Sequence, residues 1–186
     1  MENKILVVDI ETTGFLNQGG HIAEIGIVEL DLQTGAKEII FDEVCHEKGM
    51  TLESVQNSWI VSNGFMTVEE IRHSKNLEVY RSQLQDIFNQ YRTGATAYNR
   101  SFDFDFLESR RFQFPSKLPC PMELSTDICK VSWNDYYQKW KWPKVEEAYD
   151  FFFPDNDYTE LHRGADDAFH EADIVMELYR RGVLEI

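Results

Sequence analysis

Asp9 and Glu11 stand two apart in Ile5-Leu6-Val7-Val8-Asp9-Ile10-Glu11-Thr12-Thr13-Gly14, whose β-branched residues and closing Thr-Thr-Gly predict a short core strand followed by a turn. Side chains two apart on a strand share a face, so both carboxylates point the same way. Neighbouring carboxylates in a partly desolvated place repel until one takes a proton or a divalent cation lies between them. On this segment alone, a metal site and a hydrated strand end fit equally well.

The elements that must hold these carboxylates read as a mixed α/β pattern. Residues 22–30 and 38–44 predict two further strands joined across Gln33-Thr34-Gly35, which makes an antiparallel meander with the first. Helical spacing follows at Val68 to His73 and from Leu77 to Tyr91, with Gly94 as a stop. Ala95-Thr96-Ala97-Tyr98 reads as a short strand, and Asn99 or Ser101 as the cap of a helix carrying Phe102, Phe106 and Leu107. Leu124 to Ile128 reads as another strand, Lys144 to Phe153 as a helix, and the last helix runs from Gly164 to Arg181, stopped by Gly182.

The chain has 186 residues, 42% hydrophobic and 13% aromatic, with no Gly/Ser- or Pro-rich linker and no repeat, so residues 1–186 are expected to form a single domain. Met1-Glu2-Asn3-Lys4 leads into the first strand without the regions of a signal peptide, and no apolar run reaches membrane-spanning length. A soluble, cytoplasmic-type protein without membrane contact is the expectation. Cys45, Cys120 and Cys129 are odd in number and lack Cys-x-x-Cys spacing, which points to reduced packing residues.

Asp9-Ile10-Glu11-Thr12-Thr13-Gly14 resembles the opening motif of the DnaQ-like (DEDDh) exonuclease superfamily of RNase H-like nucleases. Tyr98-Asn99-Arg100-Ser101-Phe102-Asp103 resembles the second motif, with Tyr98 where His is common. His162-Arg163-Gly164-Ala165-Asp166-Asp167-Ala168 resembles the third motif of the branch whose base is histidine. The resemblance covers nearly the whole chain. It implies an RNase H-like α/β fold: a central mixed five-stranded sheet, antiparallel meander first and parallel strands after, flanked by helices.

The resemblance also implies a site. Asp9, Glu11, Asp103 and Asp167 would hold two divalent cations, His162 would take the proton of the attacking water, and Glu11 would count with it as catalytic. The reaction implied is hydrolysis of phosphodiester bonds from a 3′ end, releasing 5′-monophosphates. The turn of Thr12, Thr13, Gly14 and Phe15 would approach the terminal nucleotide, Phe15 as an apolar wedge, with Asn99 and Phe102 in support. Four oxygen donors suit Mg²⁺ or Mn²⁺, whereas zinc prefers His or Cys ligands that the set lacks. Asp105 and Asp166 are turned roughly 200° and 100° from Asp103 and Asp167 around their helices. They are expected in solvent, as are Glu108, Glu171, Asp173 and Glu177.

A net charge of −15 runs against a long phosphate grip and implies a shallow footprint on the last few nucleotides of a short single strand. Arg100, Arg163, Lys139, Lys141 and Lys144 are the candidate basic contacts. Residues 62–67, Ser-Asn-Gly-Phe-Met-Thr, replace a Gly-Ile-Thr element that the family often carries before its second motif. Residues 133–142, WNDYYQKWKW, interleave aromatics with lysines, the composition of a single-strand stacking platform and equally of a packed lid or a partner surface. An idle exonuclease-fold subunit that binds nucleic acid, or a polymerase or repair partner, is the competing function class. The carboxylate set and His162 argue against it.

Overall fold

The computed structural model describes residues 3–186; Met1 and Glu2, at the lead-in to the first strand, lie outside the described residues. Strands β1 (Lys4–Thr12), β2 (Ile22–Asp31) and β3 (Lys37–His46) form the expected antiparallel meander. Its second turn closes because Asp31 Oδ1 accepts from the backbone N–H groups of Gln33 (2.9 Å) and Thr34 (3.0 Å), and Gly35 takes a φ of +78°.

Three short helices, α1 (Leu52–Gln56), α2 (Trp59–Ser62) and α3 (Val68–His73), precede β4 (Lys75–Asn76), α4 (Leu77–Gln90), β5 (Ala95–Thr96) and α5 (Arg100–Ser109). The chain continues through α6 (Pro121–Cys129), the small hairpin of β6 (Trp133–Asn134) and β7 (Lys139–Trp140), α7 (Val145–Phe152) and α8 (Gly164–Arg180). The main sheet runs β4-β3-β2-β1-β5, with β4 and β5 parallel to their neighbours. This is the mixed five-stranded sheet of the RNase H-like fold.

One expected strand is wrong. Leu124 to Ile128 belong to helix α6, where Pro121 holds the first helical position and its missing N–H leaves no ladder bond unmade. A short apolar run does not by itself separate strand from helix, and the proline start signal outweighs it. The fifth strand is instead Lys75–Asn76, too short to show a period.

β1 divides the interior between two layers. Ile5 and Val7 pack with Val145, Ala168, Ala172 and Val175 of α7 and α8, while Leu6, Val8 and Ile10 pack with Leu84, Phe88, Phe104 and Phe106 of α4 and α5. Asp9 and Glu11 continue the Ile5–Val7 face and so lie on the α8 side. Two facing glycines let α8 begin there: a Cβ on Gly26 would fall 2.0 Å from the Gly164 carbonyl carbon, and one on Gly164 would fall 2.7 Å from the Gly26 nitrogen. Gly26 is the register partner of Asp9, so this contact brings the start of α8 to the carboxylates. Among the described residues no helix is long and apolar enough to cross a membrane. All three cysteines are free, with Cys45 and Cys120 buried.

Candidate active site

The C-terminal end of β1 and the starts of α5 and α8 converge on a cavity of about 180 Å³ whose walls include Asp9, Glu11, Asp103, His162 and Glu171. Asp103, 3% exposed, accepts the Ile10 N–H at 3.1 Å and so ties α5 to the strand between the two β1 carboxylates. Asp167, 1% exposed, accepts from the N–H groups of Arg163 (2.8 Å) and Leu161 (3.2 Å) and from the Tyr158 hydroxyl (3.3 Å). It thereby fastens the loop carrying His162 to the first turn of α8. Ligand atoms of Glu11, His162 and Asp167 all lie within 4.8 Å of one another. Asp9 Oδ2 is buried without a hydrogen-bond partner.

No Lys or Arg side chain among the described residues pairs with Asp9, Glu11, Asp103, Asp167 or Glu171. Their carboxyls are correspondingly hard to ionise. Burial, then the charges of Glu171 and Asp103, holds Asp9 well above the usual carboxylate range. Burial and the nearby Asp167 and Glu24 push Glu11 up to about 9, and burial pushes Asp103 up to about 8 against the Ile10 N–H. Asp167 rises to about 6 by burial, its backbone donors opposing. Glu160 rises to about 7 by burial and then by the charge of Asp167. Positive charge supplied from outside would relieve the whole group, and the orphaned oxygen of Asp9 is aimed at no protein donor. The donor set fits divalent cations.

His162 has a left-handed φ of +52°, rare for a residue with a Cβ and the kind of local strain that clusters at functional sites. Its ring stands edge-on to Trp59 (4.7 Å between centroids) and Phe65 (4.3 Å), and its Nδ1 lies 3.8 Å from Glu160 Oε1. Burial lowers its pKa from the ordinary histidine value, so the imidazole is neutral at pH 7. The departure at residues 62–67 thus builds a wall of the histidine's pocket through Phe65. Because His162 stands beside Glu11 and Asp167, a ring nitrogen is within reach of the carboxylates, which corrects the expectation that the set lacks a nitrogen donor.

The turn after β1 is pinned by its own side chains. Thr12 Oγ1 donates to the Gly14 carbonyl (3.0 Å), and Thr13 Oγ1 accepts the His21 N–H (3.0 Å). Phe15 stands out at 62% exposure, edge-on to Phe102 at 6.4 Å, and Asn99 and Phe102 line the carboxylate cavity. Asn99 sits at the cap of α5 without a capping bond; its side-chain oxygen accepts from Ser101 Oγ at 3.3 Å. Tyr98, at the position of the family's histidine, is buried and donates its hydroxyl to the Pro143 carbonyl at 3.0 Å.

Glu171 contradicts its expected exposure: it is 3% exposed and accepts the Tyr98 N–H at 3.3 Å. It lies four residues after Asp167 on α8, and that spacing, which puts both on one helix face, was the signal that could have found it. Asp173, also expected in solvent, pairs with Lys37 at 2.6 Å and accepts the Tyr149 hydroxyl at 3.1 Å. Asp166 and Glu177 are half-buried, whereas Asp105 and Glu108 are exposed as expected. Three of the five candidate basic contacts are engaged within the protein: Arg163 with Glu24, Arg100 with the Leu118 carbonyl and Lys141 with Glu147.

No protein-family model matches the chain, and no curated protein sequence matches it. Solved structures do. The chain is similar to a 3′-exonuclease solved in a study of 3′-end specific recognition of a histone mRNA stem-loop, at 16% identity and a TM-score of 0.70, covering 99% of this chain and 85% of that one. It is similar to the nuclease domain of 3′hExo, a DEDDh family member bound to rAMP, at 15% identity and a TM-score of 0.65, covering 99% and 96%. E. coli exonuclease I in complex with a dT13 oligonucleotide gives 16% identity and a TM-score of 0.66, covering 96% of this chain and 41% of that one. At such identities the likeness shows the fold: the chain has the DnaQ-like exonuclease fold that its three motifs resemble.

Proposed function

We propose that residues 1–186 act as a metal-dependent 3′→5′ exonuclease domain that hydrolyses the terminal phosphodiester of single-stranded DNA or RNA and releases nucleoside 5′-monophosphates. The observation that carries this reading is the set of buried and half-buried carboxylates, with no Lys or Arg partner among the described residues, around the unpartnered Asp9 Oδ2 at the meeting of β1, α5 and α8. Asp9, Glu11, Asp103 and Asp167 would hold two divalent cations, Mg²⁺ or Mn²⁺. Such ions supply an activated water and charge stabilisation for the leaving 3′-oxygen.

The protein's own groups do the rest. His162 is neutral near pH 7 because it is buried, and with its Nδ1 towards Glu160 its Nε2 takes the proton of the attacking water. Asp167 holds that histidine in place through the loop N–H groups it accepts. The pinned Thr12-Thr13-Gly14 turn presents backbone to the terminal nucleotide, with Phe15 and Phe102 flanking its base. A module that only bound nucleic acid or a polymerase would have no need for buried carboxylates that destabilise it.

Incubation with 5′- and 3′-labelled DNA and RNA oligonucleotides tests this reading. A descending ladder from 5′-labelled strands in Mg²⁺ or Mn²⁺, lost in EDTA, is expected. Binding of 3′ ends without cleavage in any divalent cation would return the chain to the class of idle subunits. The DNA and RNA arms read its preference directly.

A further inference from the structure

An open cavity of about 440 Å³ lies beside the carboxylate centre, and the two share Tyr98, Asn99, Val145, Glu160 and His162 as common wall. Trp59, Met122, Trp142 and Lys144 also line it, with Pro143 and Glu146. A strand whose 3′ end sits at the carboxylates can therefore continue into this cavity without leaving the surface. The aromatic and lysine-rich segment divides around it. Trp133 and Trp140 pack on one another at 5.1 Å across the β6–β7 hairpin and hold its shape. Trp142 is 52% exposed, has no ring partner among the described residues, and has Lys139 Nζ at 5.1 Å from its ring centroid.

Charge narrows what can sit there. The cavity carries Glu146 and Glu160 against Lys144, in a chain of net charge −15, so a phosphate track is not what binds. An uncharged π-face is. We infer that Trp142 is the stacking platform for the base of the penultimate nucleotide, the one that carries the leaving 3′-oxygen. The inference deepens the exonuclease reading and rests on it for the direction of the strand. It makes the chain prefer single strands of two or more nucleotides, with little sequence preference, because every base offers a π-face.

The test compares two substrates. A dT oligonucleotide carries the penultimate base, whereas the p-nitrophenyl ester of thymidine 5′-monophosphate replaces it with a simple phenol. Trp142→Ala should lower kcat/KM for the oligonucleotide roughly 5- to 150-fold more than for the ester, the range that base stacking on an aromatic side chain is worth. Trp142→Phe should recover most of that difference, and Trp133→Ala should show no such discrimination. Equal losses on both substrates, or none on either, would overturn the inference. If the wild type cleaves neither substrate, the exonuclease reading fails by itself. Titration of the oligonucleotide in EDTA then decides the subsite: weaker binding by Trp142→Ala than by Trp133→Ala supports it, and equal binding overturns it.

Discussion

Glu11 and Glu24 are register partners across β1 and β2, two carboxylates on neighbouring strands of one sheet. Glu24 is 1% exposed and fully answered: Arg163 donates to both of its oxygens, with Nη2 at 2.8 Å, and the Gly164 N–H adds a bond at 3.2 Å. Glu11 and its neighbours Asp9, Asp103 and Glu171 have no such cation among the described residues. The chain thus neutralises a buried carboxylate with its own guanidinium where the charge is structural. It leaves the carboxylates of the candidate site without a Lys or Arg partner among the described residues, which is what the proposed cation binding requires. Arg163 adjoins His162 in sequence, so the Glu24 pair also anchors the loop that carries the proposed base.

The largest effect expected is on cleavage. Asp9→Asn removes a ligand and should lower activity by about 10³-fold or more, the several kcal/mol that cation stabilisation supplies. Metal-free, the same variant should melt no lower than wild type, because a repelling charge is gone; a clear drop would place Asp9 with Glu24 among structural carboxylates. Arg163→Met is the mirror image. It strands Glu24 as a buried unpaired charge and should cost about 3–5 kcal/mol of stability in denaturant unfolding. A loss under 1 kcal/mol would remove the contrast between the two regions.

His162→Ala should lower kcat by roughly 10²–10⁴-fold with Mn²⁺ affinity close to wild type by calorimetry. Parallel loss of Mn²⁺ binding would make the imidazole a ligand instead. The wild-type rate should rise with pH through a value below the ordinary histidine pKa and then level off, since burial lowers that of His162.

Metal and pH should act together on stability. A hundredfold excess of Mn²⁺ over Kd should add about 2.7 kcal/mol, a melting shift of roughly 5–10 °C for a domain of this size. Glu11 (about 9), Asp103 (about 8) and Asp167 (about 6) all have folded values above the unfolded ones. Their contribution is therefore full below the unfolded carboxylate range near pH 4 and is lost as pH rises through the folded values. Metal-free stability should fall from about pH 4 to about pH 9, and Mg²⁺ should flatten that fall. A metal-free melting temperature that rises over this window would contradict the buried-carboxylate picture.

The smallest expected effect belongs to Glu171→Gln. The amide oxygen can still accept the Tyr98 N–H, so only charge is lost, and Mn²⁺ affinity should weaken on the order of tenfold. Unchanged affinity would leave Glu171 a support for Tyr98 alone.

Much of the candidate site's grouping was legible because its information is local. Asp9 and Glu11 declare a shared face by strand alternation, and the His162 to Asp167 offset is contained in one loop and one helical turn. The meander was legible for the same reason, its turn being written in Gln33-Thr34-Gly35, although only the structure shows Asp31 closing it. The sequence by itself determined that Asp9 and Glu11 share a face of β1 and where α5 and α8 begin. What approaches that face from far along the chain was decided only by the tertiary structure. Gly26 and Gly164, 138 positions apart by subtraction, let α8 start against β2. Arg163 reaches Glu24, Glu171 joins Asp9 in the wall of one cavity, and Trp142 lines the neighbouring cavity while Trp133 and Trp140 pack on each other. Burial and charge partnership are sums over neighbours, and for these residues the neighbours come from other strands and helices, which no window of sequence contains.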